Sequence, residues 1–127
     1  MPGATSDGHD FAPAAVQAGA VALLVQHLVD PSTLVRPVPQ LLVADVRAAM
    51  AHAAAAVFGA PSLQLRTVGV TGTNGKTTVV STIRHVLESA GREVAAIGTL
   101  TGARTTPEAP DLQAQLAELV AAGVTDV

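Results

Sequence analysis

The sequence predicts an α/β fold built on a parallel sheet, and three observations carry that expectation. Short apolar runs of strand length alternate with longer segments of helical periodicity. The helical segments stop at glycines and begin behind aspartates or a glycine loop. One strand-to-helix junction is rich in glycine and carries a lysine, the setting that a phosphate-binding loop requires.

Taken in order, Asp10 is placed to cap a helix running through Ala18 to Gly19, with Pro13 inside its tolerant first turn. Residues 20–25 and 40–44 read as buried strands, and the proline-bearing stretch 30–39 between them reads as a loop. Asp45 caps the next helix, where Val46, Met50, Ala53 and Val57 recur at helical spacing before Gly59. A strand over 65–70 then feeds the glycine-rich junction. Residues 76–90 form a helix with Val79, Val80, Ile83, Val86 and Leu87 on one face and Gly91 behind it. A strand over 94–97 follows. Residues 111–122 repeat the helical pattern through Leu112, Leu116, Leu119 and Val120, and Gly123 precedes an incomplete strand at 124–127.

Strands alternating with such helices imply βαβ units. The seam at Gly59-Ala60-Pro61-Ser62 divides the chain into 1–64 and 65–127. Both ends read as cut, so the expectation is part of an N-terminal α/β domain followed by the first part of a phosphate-loop domain. A small complete α/β domain is the alternative.

Composition narrows the class. With 127 residues, 49% hydrophobic and 13% charged, the chain has the material for a core and is a poor candidate for disorder. A net charge of −3 with scattered basic residues gives no basis for a nucleic-acid partner. No cysteine is present, which removes disulfides and thiolate metal sites. The apolar stretches 20–25 and 48–58 are shorter than the about 20 residues that span a bilayer. The N-terminus lacks the charged and apolar regions of a signal peptide. A soluble, cytoplasmic protein with no membrane partner is expected.

The chemistry lies in residues 67–78, Thr-Val-Gly-Val-Thr-Gly-Thr-Asn-Gly-Lys-Thr-Thr. Gly72 and Gly75 allow sharp turns that let peptide N–H groups converge on an anion. The helix starting behind Gly75 directs its unpaired N–H groups and dipole at the same point. Lys76 would reach the β- and γ-phosphates of ATP, and the Thr77 hydroxyl would ligate Mg²⁺. Thr73, Asn74 and Thr78 would complete the nucleotide contacts. Lys76 is the only lysine in the chain, and it stands where this motif needs an ammonium. The strict pattern G-x-x-x-x-G-K-[ST] fails, because Val70 occupies its first glycine position. A glycine-rich turn that binds nothing is the plainer alternative.

The run from Gly69 to Thr78 resembles the ATP loop of the Mur ligase superfamily, which includes muramyl-peptide ligases, folylpolyglutamate synthases and cyanophycin synthetase. Two flanking stretches are similar to the branch that adds the third stem-peptide residue to UDP-N-acetylmuramoyl dipeptide. One is Pro2-Gly-Ala-Thr-Ser-Asp-Gly-His-Asp-Phe11 with residues 14–22, similar to that branch's uridine-binding N-terminal domain. The other is Thr105-Thr-Pro-Glu-Ala-Pro-Asp-Leu-Gln113, similar to a substrate-contacting segment of its central domain. The resemblance implies ATP-dependent amide formation in peptidoglycan synthesis through an acyl phosphate, with diaminopimelate or lysine as the incoming amine. It implies that Thr105 and Thr106 contact the UDP-sugar substrate and that Thr5 and Asp7 lie near the uridine. The connection from Gly98 to Thr105 is shorter than in many family members. The remaining catalytic groups of the family would lie beyond Val127, so the chain alone is expected not to complete the reaction.

Other side chains carry plainer readings. His9, His27, His52 and His85 lack metal-ligand spacing, so no zinc site is expected. Asp126 alternates with Val124 and Val127 and reads as structural. Glu108 and Asp111 suit the first turn of a helix as well as they suit acid–base work. The rival functions are another ATP-using ligase of the cyanophycin-synthetase type, a nucleotide-binding module without catalysis, and a poorly folding fragment.

Overall fold

The computed structural model describes residues 7–98 and 107–127. The chain divides into two units, Met1–His52 and Ala53–Val127. The result is a mixed α/β structure with a small parallel sheet.

The described part of the first unit opens on Asp7, whose side chain accepts from the His9 backbone N–H at 3.0 Å. That bond starts a 3-10 turn over Gly8–Phe11, which runs into helix α1 (Ala12–Gln17). Asp10 therefore does not cap α1 as the sequence suggested. Winding has already begun three residues earlier, and Phe11 occupies the N-cap position with no side-chain bond. Pro13 sits near the helix start, where its missing N–H costs nothing.

Strands β1 (Leu23–Val25) and β2 (Gln40–Leu42) pair in parallel, with Leu23 opposite Gln40 and Val25 opposite Leu42. Both are shorter than the apolar runs that announced them. Only the residues that meet across the ladder become strand, and apolar character outlasts the pairing. The core joins Ala12 and Val16 of α1 to Leu23, Val25 and Leu34, with Val29 and Val38 beside them. Gln40 fixes the loop that follows β1: its side chain accepts from Val29 N–H and donates to the Val29 carbonyl, both at 2.8 Å.

Helix α2 spans Val46–Val57, and the division between the two units falls within it. Asp45 caps it as expected, accepting from the N–H groups of Arg47 at 2.8 Å and Ala48 at 3.1 Å. The chain leaves α2 through two consecutive left-handed residues, Gly59 (φ 75) and Ala60 (φ 51). A 3-10 turn over Pro61–Leu63 follows.

In the second unit the predicted strands over 65–70, 94–97 and 124–127 meet, but only through isolated parallel bridges from Arg66 and Val94 to Asp126. On one side Arg66 N–H donates to the Thr125 carbonyl at 3.0 Å, and Val68 N–H donates to that of Val127 at 2.8 Å. On the other, Ala95 N–H donates to the Asp126 carbonyl at 2.9 Å. The segment last in sequence is thus central, as two successive crossovers through helices allow. These helices are α3 (Lys76–Ser89) and α4 (Ala109–Ala121). Helix α4 starts two residues before Asp111, with Pro110 in its first turn. It buries Leu116 and packs on the Pro61–Leu63 turn.

Candidate functional site

The glycine-rich junction leaves the carboxyl end of the Arg66–Val68 segment and enters α3, the position where parallel α/β sheets take ligands. Two of its glycines have positive φ: Gly72 at 146° and Gly75 at 79°. Gly75 is the N-cap of α3 and offers no side-chain cap, so the first-turn N–H groups of the helix lack a side-chain acceptor there. A Cβ on Gly75 would meet nothing within 4 Å, so glycine is required by backbone conformation and not by crowding. Residues 71–75, Thr77 and Thr78 are exposed.

Lys76 folds its side chain back over this loop. Its Nζ donates to the Gly72 carbonyl at 2.5 Å and lies 3.5 Å from that of Thr73. The ammonium therefore lies against the loop's own carbonyls, within the glycine-rich turn. Uncapped N–H groups, one ammonium and exposed hydroxyls together make a cradle suited to an anionic ligand. The residues present thus fit the phosphates of a nucleotide and, through Thr77, a hard divalent cation.

Of the other residues that the sequence singled out, Asp7 lies in the first unit. Thr5, Thr105 and Thr106 fall outside the described residues. Asp126 occupies a structural position. It is 5% exposed, and Arg92 holds it through Nε at 2.8 Å and through Nη2. Arg66 joins it at 3.2 Å and the Thr125 hydroxyl at 2.6 Å. The Arg92 hydrogen bond foremost, then that of Thr125, outweighs burial and draws its carboxyl down to about 2. With its oxygens engaged by Arg66, Arg92 and Thr125, Asp126 fastens the bridged segments to one another.

A second cluster was not foreseen from residue spacing. Asp7, His9 and His27 place one donor atom each within 4.8 Å of one another. His9 is buried, and its ring stacks on His27 with centroids 3.7 Å apart. Spacing along the chain could not reveal this, because β1 carries residue 27 back to the turn that holds residue 9.

Comparison with known proteins agrees with the geometry. Residues 70–127 match the family profile described as Mur ligase middle domain. The chain is 47% identical over 133 aligned residues to the UDP-N-acetylmuramyl-tripeptide synthetase of Deinococcus radiodurans, covering 95% of this chain and 27% of that protein. It is 40% identical to the UDP-N-acetylmuramoyl-L-alanyl-D-glutamate--2,6-diaminopimelate ligase of Geobacter metallireducens, over 98% of this chain and 26% of that protein. A ligase of the same description from Geobacillus kaustophilus is 41% identical over 98% of this chain and 26% of its own length. The chain spans about a quarter of the length of these relatives. Residues 70–127, with the glycine-rich loop at the head of α3, thus match the Mur ligase middle domain, and nearly the whole chain is similar to ligases of that family.

Proposed function

We propose that this chain supplies the nucleotide-binding loop and part of the UDP-substrate site of a ligase that adds the third amino acid to UDP-N-acetylmuramoyl-L-alanyl-D-glutamate. The observation that carries this reading is the uncapped start of α3 behind Gly75 with the Lys76 ammonium over the loop. Residues 65–127 hold Mg·ATP: Gly72, Thr73, Asn74, Gly75 and Thr78 cradle the phosphates, Lys76 neutralises them, and Thr77 ligates Mg²⁺. Residues 1–64 bind the UDP-substrate, with Thr5 and Asp7 near the uridine, and Thr105 and Thr106 contact it from the later segment. Diaminopimelate is the incoming amine, as in the names of most of the relatives, with lysine the alternative. Bound ATP supplies the phosphoryl group that activates the substrate carboxylate. This chain's part is charge neutralisation and positioning, which dominate the barrier in phosphoryl transfer. Because the relatives are about four times as long, the complete reaction is proposed for a protein of their length.

Calorimetric titration of Mg·ATP into the chain and into Lys76→Ala tests the reading. Lys76 is partly exposed and bonds only to loop carbonyls, so its removal should leave the melting temperature nearly unchanged. Losing an ammonium from the phosphates should weaken ATP about 10- to 100-fold, the range for hydrogen bonds to charged groups, and leave adenosine unaffected. Equal ATP affinity in the two proteins would refute the loop assignment. Tight Mg·ATP binding without any response to the UDP-substrate would favour a nucleotide-binding module.

A further inference from the structure

We propose that His9 is a positioning residue that aims the Asp7 carboxylate at the uridine end of the UDP-substrate. The inference rests on the reading of the first unit given above, which puts Asp7 near the uridine, and adds which residue sets Asp7 and which donor groups of the uridine it accepts from.

The His9 ring is fixed from three sides. Its Nε2 accepts from the Gln26 backbone N–H at 3.1 Å. A peptide N–H can only donate, so Nε2 carries the lone pair and the proton resides on Nδ1. That proton is donated to Asp7 Oδ1 at 2.6 Å, and the His9 backbone N–H reaches the same oxygen at 3.0 Å. His27 closes one ring face. Gln26 directly follows β1, and its side-chain amide donates to the Ala44 carbonyl at 3.0 Å, just beyond β2. His9 therefore ties Asp7 to the carboxyl ends of both parallel strands, the edge where open α/β sheets receive ligands.

A cation does not suit this cluster. Binding it at His9 Nδ1 would move the proton to Nε2, against the Gln26 N–H, donor facing donor. The two imidazole planes are also within 22° of parallel, so their in-plane lone pairs do not converge on one ion. What the arrangement does is hold a carboxylate. The His9 backbone N–H first, then its ring N–H, draws the Asp7 carboxyl down to about 2, so the group is ionised at neutral pH. An ionised carboxylate repels a diphosphate and accepts from hydroxyl or imide N–H donors. In a uridine nucleotide those donors are the ribose hydroxyls and the uracil N3–H.

The test titrates UMP and UDP-N-acetylmuramoyl dipeptide into the chain, with Mg·ATP titration and thermal melting as references. His9→Gln can still accept from Gln26 N–H but does not place a donor on Asp7. His9→Asn keeps a donor near the Nδ1 position. His9→Gln and Asp7→Asn should each weaken both uridine ligands about tenfold, the effect of one hydrogen bond to a charged group. The double variant should lose no more than either single one, and His9→Asn should recover part of the affinity. Mg·ATP binding should not change, and melting should fall by only a few degrees, since the hydrogen bonds lost are local. Wild-type uridine affinity in a folded His9→Gln, or parallel loss of uridine binding, Mg·ATP binding and stability, would overturn the positioning role alone. A wild-type chain that binds neither uridine ligand would overturn the underlying substrate reading as well.

Discussion

Replacing Gly75 by alanine separates a conformational requirement from a steric one. Gly75 has φ 79 and ψ −6, and a Cβ built there meets nothing within 4 Å. Crowding therefore contributes nothing, and the cost is that of holding an L-residue in the left-handed region, about 1–2 kcal/mol. The stiffer unfolded chain offsets about 0.4–1 kcal/mol of that. The net destabilisation is roughly 0–1.6 kcal/mol, about 0.8 kcal/mol at mid-range, which corresponds to a fall in melting temperature of roughly 3–6 °C for a unit of this size. Gly69 is the matched control, since it also has open space around its Cβ but no positive φ. Gly69→Ala should move stability by no more than about 0.5 kcal/mol. Melting followed by circular dichroism reads both, and Mg·ATP titration should show weakened binding for Gly75→Ala only. Equal losses in the two variants would refute the argument, because they would mean that shape at the loop, and not the backbone at one residue, sets its need for glycine.

Further outcomes follow from the packing and the charges. Leu116→Ala, at a position 4% exposed on α4, should cost about 2–4 kcal/mol, read as a lower denaturation midpoint with unchanged slope. Asp126 has its pKa depressed from 3.8 to about 2, so the stability it contributes is complete above pH 4 and is lost as pH falls through 2. Asp126→Asn should flatten the acid limb of the stability curve in that window. Asp7 titrates there too, and comparison with Asp7→Asn separates the two. Ala60, with φ 51, is the one non-glycine residue of positive φ among the described residues. Ala60→Gly should leave stability unchanged or raise it by up to about 1 kcal/mol, because relieved strain opposes a looser unfolded chain. A clear loss in the melting assay would contradict that balance.

Much of the architecture was legible because it is written in short-range terms. Helix periodicity, the Asp45 cap and the glycines behind α1, α2, α3 and α4 each depend on residues within a turn or two of one another. The loop before α3 was legible for the same reason: its glycines, lysine and threonines are contiguous, and their meaning comes from the strand and helix on either side. Element ends were less so. Asp10 looked like a cap, yet the bond that Asp7 makes two residues ahead started the winding earlier, and one sequence supports both registers.

Residue type and local spacing by themselves determined the mixed α/β class and the place of a glycine-rich loop with one lysine ahead of a helix, the loop for which anion binding is proposed. The tertiary structure alone decided the pairings. It placed the final segment between the two earlier ones, so that Asp126 meets both Arg66 and Arg92, and it brought His9 against Gln26 and His27. These partners lie 17 to 60 residues apart in the chain. Their meeting depends on the parallel crossovers that return each strand to the same edge, and no local periodicity encodes which strands become neighbours.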